Sequence, residues 1–335
     1  MGCLRRVDRI AARSKVDPRS RTAALIGTPP KPLGSLGRLQ PVSHLPGYAH
    51  LTWIFDLLCN SPLTFAARGE TVFIHKALFQ DGKVPGPLLA AFGICTGCAS
   101  LNDRNRDILF QALDTQMNAL LLAHPTVSTV DTSGGAWLLE DLARFQAIVL
   151  YQIIRLFYGG VEQRVISEQQ AYVVRAQALR LLRSVDVADV VEPEMHASHT
   201  WEKWILAESI RRTVFVAFKL YTVYTAFRYG HCTEMAALRM LPVSTWPAGA
   251  WYSREFYNEW EESRASEGDG TTTVGAFISG LDIVERADLG TFERVISSAA
   301  TCEKAAAGVR AVRAGTGDGD FDTSPAADTQ GSGDA

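Results

Sequence analysis

The segment from Trp201 to Tyr229 reads as one uninterrupted helix, and it sets the terms for the rest of the chain. Thr200 can cap its start, Glu202 suits the positive end of its dipole, and Gly230 can end it. At 1.5 Å per residue its 29 residues would run about 43 Å, which makes it the longest helix the sequence predicts. A rod of that length needs other helices to cover its apolar surface.

The candidate partners show the same periodicity. Residues 106–123 place Leu109, Leu113, Met117 and Leu120 on one face, with Asn105 as N-cap. Residues 136–158 place Leu142, Phe145, Val149, Ile153 and Leu156 on one face, and Gly159-Gly160 stops that helix. Residues 166–184 repeat the pattern with Val174, Ala178, Leu181 and Leu182, and 287–314 give an Ala-rich helical pattern. No strand alternation of useful length and no fixed-period repeat appears, so the fold class is all-α, with helices packed in pairs.

The ends differ from the body. Residues 1–38 carry nine Lys/Arg against Asp8 and Asp17, a balance of +7, followed through Pro29, Pro30, Pro32, Gly34 and Gly37 by a poor helix former. Residues 315–335 hold five Asp, no basic residue and Phe321 as the one aromatic. The reading is a basic disordered arm over 1–44, a helical body over 45–314 and an acidic disordered tail over 315–335.

Across all 335 residues, 33 Lys+Arg face 36 Asp+Glu, so no global charge pulls the chain to nucleic acid or membrane. The charge-free stretch 84–101 is broken by Pro85, Gly86, Pro87, Gly93 and Gly97, and the apolar run 213–227 carries Lys219. Both read as buried helix rather than as a membrane span. Basic residues Arg9, Arg13 and Lys15 interrupt any signal-peptide core. The six cysteines, at 3, 59, 95, 98, 232 and 302, are too sparse for a disulfide framework, so reduced thiols inside a cell are expected.

Few residues suggest chemistry. Cys95-Thr-Gly-Cys98 lacks the second ligand pair a zinc site needs and lacks a βαβ context, so it reads as two small apolar side chains in a buried helix. His196 and His199, with Glu192 and Glu194, lie beside Pro193 and read as a solvated linker. Asp318, Asp320 and Asp322 resemble the start of a calcium loop, but Thr323 and Thr329 stand where its Gly and Glu belong. No phosphate-binding, nucleophile-elbow or zinc-protease motif occurs, and neither a metal nor another cofactor is called for. Arg5, Arg6, Arg9 and Arg13 would share one side of the arm were it helical, where they could touch phosphates without reading sequence.

The segment that stands out is Trp201-x-x-Trp204-Ile-x-x-Glu208-Ser209-x-Arg211-Arg212-Thr213. Its Trp201, Trp204, Glu208, Arg211/Arg212 and Phe215 recur at three- and four-residue steps along one side of a helix, and Glu208 and Arg212 are i,i+4 partners in the favoured order. This pattern resembles the large helical regulatory region, or middle homology region, of fungal-specific transcription factors. Thr71-Val-Phe73-Ile74-His75 resembles that family's "PFIH" segment, and Pro87 to Phe92 through Asn105 resembles the helix after it. Leu142 to Gln152 resembles its "LAxxQALLLYQ" helix. Leu241-Pro242, with Trp246 and the stretch Trp251 to Trp260, resembles the family's segment after the long helix. His75, in an apolar run, reads as a hydrogen-bonded core residue rather than a ligand.

The resemblance covers roughly residues 45 to 300 and implies a nuclear transcriptional regulator, or regulator-like protein, of a metabolic or secondary-metabolite gene set, and not an enzyme. Trp201, Trp204, Glu208, Ser209, Arg211, Arg212 and Thr213 would hold the central helix in place, a structural role. The implied partners are other regulators or co-regulators, with DNA touched weakly or indirectly, no membrane, and a homo- or heterodimer allowed. Such regulators carry an N-terminal zinc module, whereas the first 58 residues here contain Cys3 alone, so the match is to the regulatory half. Two rivals stand beside this reading. One is a non-DNA-binding partner or truncated regulator, with the Trp-rich stretch 246–260 as its surface if exposed. The other is a helical enzyme of secondary metabolism, which needs a deep pocket with convergent polar groups.

Overall fold

A computed structural model of the chain describes residues 48–79, 82–122, 136–191, 201–229, 231–263, 270–281 and 289–298. Its elements in order are α1 (Tyr48–Cys59), α2 (Ser61–Arg68), a 3₁₀ turn (Lys76–Phe79), α3 (Gly86–Ala99), α4 (Arg106–Leu122), α5 (Ala136–Tyr158), α6 (Val161–Val191) and α7 (Trp201–Tyr229). After these come α8 (Met235–Met240), strand β1 (Pro242–Ser244), α9 (Gly249–Tyr252), α10 (Arg254–Ser263), strand β2 (Thr271–Thr273), α11 (Val274–Gly280) and a helical run α12 over 291–298. The fold is all-α, as expected. Strands β1 and β2 are three residues each and pair antiparallel, Pro242 opposite Thr273. They are too short to leave an alternating pattern in the sequence.

The core centres on α5, which packs against α3, α6 and α7 and also touches α1, α2 and α4. The sequence predicts one apolar face; instead α5 is buried nearly all round, including Gln146, Gln152 and Arg155. These polar groups are tolerable because each finds a partner. Arg155 reaches Asp114 of α4 at 2.6 Å and also Gln170 of α6, while Gln152 bonds Gln170 and Ser167. A helix surrounded on all sides loses the clean periodic signature of a surface helix.

Other expectations hold with adjustments. Leu109, Leu113 and Met117 of α4 and Val174, Ala178 and Leu181 of α6 are buried, with Leu120 and Leu182 half-buried. At 31 residues α6 exceeds the 29 of α7, so the central helix is not the longest. Asn105 stands at the N-cap of α4, its carbonyl accepting from the Leu109 N–H at 3.0 Å, but its side-chain oxygen turns back to accept from the Asn102 N–H at 2.8 Å. The charge-free stretch forms α3, and among the described residues no helix is long and apolar enough to cross a membrane.

Gly159 ends α5, but not through a left-handed backbone. Its N–H donates to the Ile154 carbonyl at 3.0 Å, and a Cβ there would lie 2.4 Å from the Arg155 carbonyl oxygen. Closeness, not φ, requires glycine. The expected caps Thr200 and Gly230, the arm 1–44, the tail 315–335, the His196/His199 group, the Asp318–Asp322 triplet and most of 287–314 lie outside the described residues.

Candidate functional site

The first four turns of α7 carry the Trp201–Thr213 segment. Trp201 is buried and donates its indole N–H to the Ala250 carbonyl at 2.9 Å. Trp204, one turn on, is half-buried against Trp246 and Tyr257, with ring centroids at 5.4 and 5.6 Å, and Trp246 and Tyr257 stack at 4.7 Å. Ile205, Ala250 and Trp251 complete this aromatic cluster. Trp246 and Trp251 thus face inward, which removes them from any exposed surface of the 246–260 stretch.

Glu208 is 2% exposed and binds two arginines, Arg211 Nε at 3.1 Å and Arg212 Nε at 2.8 Å. Arg212 is the centre of the arrangement. Its guanidinium lies 3.9 Å from the Trp251 ring centroid and 4.4 Å from that of Phe292, and it also reaches Glu293 at 3.6 Å. Two aromatic faces and two carboxylates compensate the loss of water around a fixed positive charge. Burial pushes the Glu293 carboxyl above the usual range, and Arg212 opposes that rise.

Ser209 and Thr213 are fully buried, and the Thr213 hydroxyl donates to the Ser209 carbonyl at 2.6 Å, inside the helix. Its oxygen lies 3.4 Å from Gln146 Nε2, and the same nitrogen donates to the Phe73 carbonyl at 2.9 Å. Phe215 meets Phe292 edge-on at 5.6 Å. The 71–75 segment is therefore fastened to α5 and α7 through its own backbone.

His75 is buried and packs edge-on against Trp251 at 4.6 Å and Trp201 at 5.5 Å. Its Nδ1 accepts from the Ala77 N–H at 3.1 Å, so Nε2 carries the proton and donates to the Trp251 carbonyl at 2.8 Å. Burial lowers its pKa, against the opposing pull of the Trp251 carbonyl. It is a hydrogen-bonded core histidine.

The seven residues of the α7 segment share this one region; Trp201, Glu208, Arg211, Arg212 and Thr213 find polar partners inside the body, whereas the buried Trp204 indole N–H and Ser209 hydroxyl have none among the described residues. Sequence reasoning misses the other half: Trp251 as a cover for Arg212, Phe292 as its second cover, and Glu293 as its second carboxylate. The Trp-rich character of 251–260 is a signal for the first; for Phe292 and Glu293 the sequence holds none, because they lie far along the chain from Arg212. Cys95 and Cys98 are buried, burial holding both thiols up, Cys98 to about 12, so neither is a ready thiolate. Among the described residues no three potential metal ligands cluster. Arg5, Arg6, Arg9 and Arg13 lie outside the described residues.

No family model matches the chain, and no solved structure matches it. Among curated proteins, the chain is similar to transcription factor gsfR2 of Penicillium aethiopicum, 31% identical over 179 residues. That match takes in 51% of this chain and 41% of the relative, so the chain spans about two fifths of the relative's length. What this chain resembles, over half of its own length, is part of a fungal transcription factor.

Proposed function

We propose that this protein is a transcriptional regulator, or regulator-like protein, whose helical body serves as an interaction and autoregulation module. The observation that carries the reading is the 31% identity to a named transcription factor. The site geometry is consistent with it: the residues of the Trp201–Thr213 segment bind one another and the surrounding core. In this reading the protein acts in the nucleus on a metabolic or secondary-metabolite gene set, through contacts with other regulators. The basic segment 1–38 adds, at most, salt-sensitive contact with DNA phosphates.

The test is a comparison of transcripts between a strain lacking the gene and its parent, with complementation by the wild-type gene. A confined set of transcripts should shift together and return on complementation. An unchanged transcript profile, alongside turnover of a small molecule by the purified chain, would favour the enzyme rival instead.

A further inference from the structure

The outward face of α6 is uncovered by any other described element. Its inward side meets α5 and α7, while Val161, Val165, Tyr172 and Leu179 point out, Val161 70% and Tyr172 78% exposed. With Glu168, Ala176 and Arg183 these residues form one stripe, at positions 161, 165, 168, 172, 176, 179 and 183. Steps of three and four keep a stripe on one side of a helix, as in coiled coils.

The order of steps reads the same from either end, with Tyr172 at the middle. Such a stripe is complementary to itself when two copies lie antiparallel about a two-fold axis through Tyr172. Val165 of one copy then meets Leu179 of the other, and Val161 meets the aliphatic stem of Arg183. Ala176 meets the stem of Glu168, whose carboxylate is turned aside to Tyr224 at 2.6 Å and Arg228 at 3.3 Å.

Charge selects the same orientation. Glu162 flanks the stripe at one end and Arg183 stands at the other, both exposed, with Arg183 Nε donating to the Leu179 carbonyl of its own helix at 3.2 Å. Antiparallel copies bring Glu162 beside Arg183 at each end of the contact. Parallel copies would bring Glu162 to Glu162 and Arg183 to Arg183, which is repulsive.

We propose that two copies of this chain pair through this face, α6 against α6, antiparallel about Tyr172. The contact is about 33 Å long and one helix wide, roughly 10 Å, below the ~800 Å² per partner of standard interfaces. The pairing is accordingly reversible and concentration-dependent.

Sedimentation equilibrium of the full chain tests this across roughly 1 to 100 μM, the range suited to a micromolar Kd. Wild type should pass from monomer to dimer. Tyr172→Glu places two carboxylates on the axis and should weaken pairing at least tenfold, while the thermal midpoint of dilute protein stays unchanged. Glu162→Arg and Arg183→Glu should each weaken pairing, and their combination in one chain should restore it. Under mild oxidation Tyr172→Cys should form a disulfide-linked dimer that wild type does not form. A monomer at every concentration, or a dimer indifferent to Tyr172→Glu, overturns the proposal. So does failure of the double swap to restore pairing. A lowered thermal midpoint in dilute Tyr172→Glu also overturns it, by showing that a segment of the same chain occupies the face.

Discussion

Glu208 shows how one carboxylate can matter more than its apparent pairing suggests. An i,i+4 pair on an exposed helix adds about 0.2–0.5 kcal/mol. Here the same pair is buried, and the carboxylate bonds to two arginines, one of them enclosed by aromatic rings. Removing it leaves buried positive charge, so Glu208→Ala should destabilise the fold by about 3–5 kcal/mol, read as a depressed thermal midpoint. An unchanged midpoint would contradict the burial argument. His75 supplies a pH dependence. Its folded pKa lies below the ordinary 6.5, so the unfolded chain binds the proton more readily. Its contribution is therefore present above about pH 6.5 and is lost as pH falls toward the folded pKa. His75→Gln keeps a donor for the Trp251 carbonyl and should flatten this slope in denaturation curves taken from neutral to mildly acidic pH. The Glu208–Arg212 pair and the core role of His75 are legible in the sequence, because spacing and an apolar neighbourhood are local. The partners Phe292 and Glu293 are not, because tertiary contact has no local signature.

At the scale of elements, a period announces that a helix exists more reliably than it announces the helix's surroundings. Helices α4 and α6 keep one face in water, and their sequence periods mark the buried faces correctly. The period of α5 marks a single face too, yet neighbours on all sides bury even its Gln and Arg side chains. The turn between α5 and α6 gives a sharp contrast within one dipeptide. A Cβ at Gly159 would sit 2.4 Å from the Arg155 oxygen and 2.5 Å from the Gln163 Cβ, whereas one at Gly160 would meet nothing within 4 Å. Gly159→Ala should therefore cost about 1–3 kcal/mol, as overpacking does, while Gly160→Ala should be close to neutral in the same urea titration. Equal effects at the two positions would mean that backbone entropy, not contact, governs the turn. The β1–β2 pair is invisible in the sequence because three residues are too few to show alternation.

For the molecule as a whole, the sequence discloses a helical body between segments of opposite charge, and the structure describes the body from residue 48 to residue 298 with internal gaps. What joins its distant parts is the arginine between Trp251 and Phe292. Three stretches of chain converge there: the helix that carries it, the aromatic region after it, and the short helix with Phe292 and Glu293. This gives the order of synthesis a meaning. A ribosome adds about 5–20 residues each second, so roughly eighty residues must follow Arg212 before Glu293 exists, an interval of about 4–16 s. Throughout that interval the nascent helix holds a charged, half-clad arginine that its own chain cannot yet enclose. The stretch that closes this part of the interior is thus made well after the helix it covers, and a chain released before Glu293 is left with an open seam for quality control to find.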